Sequence, residues 1–243
     1  MKTNLLSKLT VAAAIIGIIA STTAFAGECL DGSGNVIGEN HSVTSFNKII
    51  VETDATVILS QDMTQSVHIQ ADDNLQNIIE TKIENGTLKI SVPKCLNPTK
   101  TINIFVATKN IDEITLAGNG KIVAPSTISA DAIKFIVTGN GEITIDELHA
   151  ENIYTQIVGN GKITLAGDAI SHTIESIGSG DVYAYKLKAI NTKLNVAGAG
   201  NCEVCSENQL DVRITGNGTV SYKGKPETLS KDISGNGKLT SKN

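Results

Sequence analysis

The chain has 243 residues, 40% of them hydrophobic but only 3% aromatic, with no Trp, 22 Gly and a formal net charge of −5. That modest acidic excess, with Arg213 the one arginine, argues against nucleic acid or an anionic membrane surface as partner and against bidentate phosphate recognition. The length suits one elongated domain or two small ones.

Taken in chain order, the first element is a leader. Lys2 and Lys8 form a positive leader before an apolar stretch over 9–20, and Ala24-Phe25-Ala26 supplies a small-x-small cleavage pattern. Residues 1–26 therefore read as a secretory signal peptide, too short in its apolar part to cross a bilayer. Glu28 stands where a lipoprotein signal requires a small residue, which argues against a lipid anchor on Cys29. Cleavage after Ala26 removes both leader lysines, takes the formal charge from −5 to −7 and leaves no membrane span. Export also permits disulfides. Cys29, Cys95, Cys202 and Cys205 allow three pairings; one that joins Cys29 to Cys95 pins the N-terminal segment, and the others stay open.

Residues 27–107 read as a β segment. Strand-like runs fall at 48–52, 56–60, 66–70, 78–83, 88–92 and 101–106, and Asn85-Gly86 is a hairpin signal between two of them. These runs lack regular glycine corners, so they predict irregular starting coils or a small β cap over the end of a solenoid.

Residues 108–243 repeat. Gly-x-Gly recurs at Gly118, Gly139, Gly159, Gly178, Gly198, Gly216 and Gly235, with spacings of 21, 20, 19, 20, 18 and 19 residues. Two residues before each corner stand Leu116, Val137, Ile157, Ser176, Val196, Ile214 and Ile233; two after its second glycine stand Ile122, Ile143, Ile163, Val182, Cys202, Val220 and Leu239. Alternation on both sides of a tight corner predicts two short strands per coil, each with one buried face. A third short segment is expected to carry Leu148, Ile153, Leu187, Ile190 and Leu210. One such coil cannot bury its apolar face alone, whereas stacked coils bury a continuous column. Asn fills five of the seven corners; stacked at about 4.8 Å its amides can brace the corner by hydrogen bonding up the ladder.

This order of segments resembles a known family. Gly32-Ser33-Gly34-Asn35-Val36, then Phe46-Asn47-Lys48-Ile49, Asp73-Asn74-Leu75 and 83–90, precede the Gly-Asn-Gly coils. From about Asn35 onward the chain is similar to the bacterial auto-transporter adhesin "head GIN" domain family. That resemblance implies a right-handed β-helix in the periplasm or at the cell surface of a bacterium, and it brings no catalytic residues with it.

Chemistry is sparse. The outward positions after each corner, including Val123, Thr144, Thr164, Tyr183, Glu203 and Ser221, hold few carboxylates, and Asp146 and Glu203 lie coils apart. Hydrolases of β-helix fold need two carboxylates at a defined separation. Cys202-x-x-Cys205 lacks a second ligand pair, and its two residues fall on opposite strand faces, so a bridge between them requires a break near Val204. Tyr183 and Tyr185 fall outward on one coil, as an aromatic platform for a glycan or protein or as packing over the coil surface. The sequence thus predicts an all-β, right-handed parallel β-helix with coils of about 20 residues and an irregular N-terminal cap. Its expected role is a non-catalytic exported module, without cofactor, that offers a repetitive face to a glycan or protein, adhesion being the named role. The alternatives are a polysaccharide-acting enzyme and a purely structural envelope protein.

Overall fold

The computed structural model of the protein describes residues 28–242; the expected leader lies outside the described residues. Nine strands form the N-terminal part: β1 (Leu30–Asp31), β2 (Val36–His41), β3 (Lys48–Glu52), β4 (Thr56–Gln61), β5 (Ser66–Asp72), β6 (Glu80–Glu84), β7 (Thr87–Ser91), β8 (Leu96–Asn97) and β9 (Asn103–Thr108). Ten more complete the chain: β10 (Glu113–Gly118), β11 (Lys121–Ala124), β12 (Ile128–Gly139), β13 (Glu142–Gly159), β14 (Lys162–Gly178), β15 (Asp181–Gly198), β16 (Asn201–Gly216), β17 (Thr219–Lys223), β18 (Thr228–Gly235) and β19 (Lys238–Ser241). The one helical element among the described residues is a single 3-10 turn, Gln76–Ile78. No helix there is long and apolar enough to cross a membrane.

Parallel pairing with the next coil builds a solenoid. Ile143 lies on Ile163, Ile163 on Val182, Val182 on Cys202 and Cys202 on Val220, and all five are buried. Beside them runs Phe135, Thr155, Ile174, Leu194 and Val212, equally enclosed. In-register parallel stacking puts like on like, so β-branched side chains meet their counterparts about 4.8 Å away and one core runs from Phe46 to Val220.

Each corner uses its two glycines differently. The first sits at positive φ, as at Gly159 (120°), a backbone region that L side chains resist. The second is a matter of space: a Cβ on Gly161 would lie 2.3 Å from Val137 Cγ1 of the previous coil. Beyond the corner the expected separate third segment is absent, because β13 to β16 run unbroken for 16 to 18 residues through their bends. Register shifts absorb those bends, between Ile145 and Leu148 and again between Ala184 and Lys188. One consequence corrects the sequence reading. Leu148, Ile153, Leu187 and Leu210 are buried, but Ile190 is 46% exposed because Ala189 takes the inward place beside it. The bulge resets the phase of alternation, and phase after a bulge is set by pairing rather than by local pattern.

The N-terminal end is closed by a change of strand direction. β3 and β4 pair in parallel with β10 and β11 on one side and with β7 and β9 on the other. Antiparallel strands then cover them: β6 on β7, β5 on β9 and β2 on β5. Asn85 (φ 50°) and Gly86 (φ 73°) make the β6–β7 turn. The Cys29–Cys95 disulfide ties the first described residues to the loop before β9, and β1 pairs with β8 beside it. Asp72, fully enclosed, accepts hydrogen bonds from the Thr99 hydroxyl, the Thr99 N–H and the Gly34 N–H. Those bonds, the Thr99 hydroxyl foremost, hold its carboxyl below the usual range. At the other end β18 and β19 pair on one side only. Ile233 holds an inward position as expected, yet it is 37% exposed, with no further coil over it among the described residues.

Candidate binding surface

The corner amides form a ladder. Asn160 Nδ2 donates to Asn140 Oδ1 (3.0 Å), Asn140 to Asn119 (2.9 Å) and Asn119 to Asp54 Oδ1 (3.2 Å). Ser179 and Ala199 interrupt it, and it resumes where Asn236 donates to Asn217 (3.4 Å). Each interior amide spends one donor and its oxygen on its neighbours, which makes this column a brace rather than a row of groups presented to a ligand.

The outward face that follows the corner carries the candidate tyrosines. Lys121, Glu142, Lys162 and Asp181 come first, in register, with Glu142 bridging Lys162 (2.9 Å) and Lys121 (3.6 Å). Partial burial raises the Glu142 pKa, but the two lysines outweigh it and leave it below its ordinary value. Tyr183 lies between Thr164 and Glu203, half-buried, its hydroxyl 3.3 Å from Asp181 Oδ2. Tyr185 falls in the stretch that the shorter next coil leaves unmatched. It reaches across that coil to donate to Ser221 Oγ (2.5 Å), and Lys223 Nζ stands 4.8 Å from its ring centre. Ser221, outward by alternation, is consequently 8% exposed. Both phenols are thus outward, partly buried and engaged by neighbouring side chains.

A second outward surface escaped the sequence reading. Lys134, Tyr154 and Thr173 stack in register on β12, β13 and β14 and border a groove of about 900 Å³ with Asn47, Asp131 and Asn152. The Tyr154 hydroxyl donates to Glu175 Oε2 (2.7 Å), and burial followed by that carboxylate holds its pKa well above the ordinary phenol value. The signal was present in the repeat, since Tyr154 stands five residues before Gly159, on the outward parity.

The remaining reactive groups are scattered or inert. Cys202 and Cys205 are not bonded to each other. Cys202 is enclosed between Val182 and Val220, and burial pushes its thiol up to about 12. Burial also raises Cys205, which pairs in register with Lys188. Neither holds the thiolate that redox or metal chemistry needs. His172 is buried in the core beside Thr155, Oγ1 to Nε2 2.9 Å, and its pKa falls to about 3. His149 lies 3.5 Å from Glu147 and 3.4 Å from Asp168 at the surface. Among the described residues no group of three or more His, Cys, Asp and Glu is placed to hold a metal ion.

Comparison with known proteins gives a family and a set of like folds. Residues 45–226 match the family described as "Putative auto-transporter adhesin, head GIN domain". Among solved structures, a protein described as a putative adhesin from Bacteroides fragilis superposes with a TM-score of 0.84 at 24% identity, over 87% of this chain and 99% of that one. A putative adhesin from Parabacteroides distasonis gives 0.73 at 22%, over 88% of this chain and 100% of its own. A protein from the same organism described as a putative lipid binding protein gives 0.72 at 23%, over 89% and 100%. At such identities the likeness is one of fold. No curated protein matches the sequence.

Proposed function

This chain belongs to the auto-transporter adhesin head GIN domain family, and from that premise we propose that it is a non-catalytic, exported module of the bacterial envelope that attaches to a macromolecule through the outward face of its coils. The observation that carries the reading is the face bearing Tyr183 and Tyr185. There, stacked coils align charged, hydroxyl and aromatic side chains in rows, and its best-ordered carboxylate, Glu142, is committed to two lysines. A face built this way offers many weak, evenly spaced contacts and no acid–base pair aimed at a bond. Two of the solved structures that share the fold are described as adhesins, which supports the same role. Display in the periplasm or at the cell surface is the address that goes with it.

The test is a glycan array and a host-cell binding assay with residues 27–243, run beside Tyr183→Ala/Tyr185→Ala. Saturable binding that the double variant weakens at least tenfold is the expected result. Binding that survives the variant moves the site to another face, such as the groove beside Tyr154. No binding to any glycan or cell overturns adhesion and leaves a structural role in the envelope.

A further inference from the structure

The outward face of the first coils carries a cleft of about 1230 Å³, well away from the tyrosine pair. Its floor is Ile50 on β3 with Thr115 and Ala117 on β10, and the loop over 92–102 forms its roof. That loop is fastened from outside. Beyond the Cys29–Cys95 disulfide, Leu30 N–H donates to Cys95 O (3.0 Å), Gly32 N–H to Asn97 O (2.9 Å) and Asn97 Nδ2 to Asp31 Oδ1 (2.7 Å), while Thr99 is bound twice to Asp72. All of these tethers run to the N-terminal segment and the cap. Val92 and Leu96, which also pack against the core, line the cleft together with Pro98. Tethers on its outer side and the core contacts of Val92 and Leu96 on its inner side hold the loop in one place, which is the condition for a preformed ligand cleft.

The charge at the cleft is selective. Lys89 is committed to Glu52 at 2.9 Å, and Asp54, the other carboxylate lining the cleft, accepts from Asn119 Nδ2 at 3.2 Å. Lys94 and Lys100, by contrast, both also lining it, form no ion pair with a carboxylate among the described residues. Two ammonium groups beside apolar walls, in a chain of net charge −5, complement one chemistry: an acyl chain with a carboxylate at its end. We propose that this cleft binds a single-chain fatty acid, its alkyl chain over Ile50 and Ala117 and its carboxylate between Lys94 and Lys100. The inference is independent of the adhesive face.

Titration calorimetry of residues 27–243 with laurate, octanoate and dodecanol tests it. Each buried methylene is worth about a fourfold gain in affinity, so laurate should bind saturably, one per chain, on the order of a hundredfold more tightly than octanoate. Dodecanol, which lacks the charge, should bind at least tenfold more weakly than laurate. Ala117→Phe, which fills the floor from an outward position, should abolish laurate binding, and Lys94→Glu/Lys100→Glu should weaken it at least tenfold. Thr115→Trp is a second floor blocker should Ala117→Phe not fold, as judged by circular dichroism. Absence of saturable laurate binding, equal binding of dodecanol, or laurate binding untouched in a folded floor variant each overturns the proposal. Glycan and cell binding should be unchanged in the floor variants, so the two functional readings fail separately.

Discussion

The two ends of the solenoid solve one problem in opposite ways. A stack of coils exposes an open strand edge and an uncovered core at each end, both of which invite association. At the N-terminal end a long stretch of chain is given over to the solution: antiparallel strands fold over the first coil, a disulfide locks the entering segment, and Asp72 pegs the loop to the cap. At the C-terminal end of the described residues the last coil stays uncovered, with a charge in its inward column. Lys231 lies in register on buried Val212, in the inward column where earlier coils carry Leu194 and Ile174. A charge at that place cannot be covered cheaply by another coil. The contrast teaches that an edge is closed either by covering it or by making it costly to cover, and that only the first way creates new cavities, such as the cleft under the loop over 92–102.

The largest expected effect breaks the covered end. Cys29→Ser/Cys95→Ser frees a span of 66 residues, for which the chain-entropy argument gives about 4 kcal/mol. Thermal melting should fall by roughly 5–15 °C, and hydrogen exchange should rise first in the cap. An unchanged melting temperature would show that the strands alone close this end.

The next effect belongs to neither end and separates them. His172 has its pKa lowered to about 3 by burial, against an ordinary value near 6.5. Above pH 6.5 both folded and unfolded chains carry it neutral, so its contribution is fully present. As pH falls below 6.5 the unfolded chain takes up a proton that the folded chain refuses, and stability is lost progressively down to about pH 3. At pH 5 the loss is about 2 kcal/mol. His172→Leu should flatten that part of the acid-unfolding curve, measured by urea melts between pH 7.5 and 5. An unaltered pH dependence would assign the acid sensitivity to the ends instead.

The smallest effect sharpens the comparison at the open end. Lys231→Leu continues the apolar column of Val212, and should raise stability by about 1 kcal/mol. It should also shift sedimentation velocity profiles towards larger species at equal protein concentration, because the charge no longer guards the edge. A variant as dispersed as the natural chain would show that the strand edge, not the core column, controls association.

The repeat made most of the architecture legible. Spacing of the Gly-x-Gly corners placed Ile143, Ile163 and Val182 on one column, and alternation placed Tyr183 outward, because period-two burial needs no knowledge of the partner strand. Asn85-Gly86 marked its hairpin for a similarly local reason. Ile190 departs from the pattern because a bulge changes the phase there, whereas Ile233 keeps its inward place on Ile214 and is merely left partly uncovered. Tyr154 was within reach of the same alignment and was passed over for want of a neighbour to make it conspicuous. The cleft was not legible, since its floor comes from residues 50, 115 and 117 and its roof from 92–102.

What the sequence determined by itself was therefore whatever repeats along the chain: coil length, corner chemistry, the inward columns and the all-β character. These follow from local sterics and from the rule that like positions stack. What only the tertiary structure decided was whatever happens once: the antiparallel closure, the side to which the Cys29–Cys95 tether pulls its loop, the reach of Tyr185 across a shorter coil to Ser221, and the isolation of Cys202 from Cys205. Each depends on distances between segments far apart in the chain, and those distances are set by how the coils pack rather than by any residue's own preference.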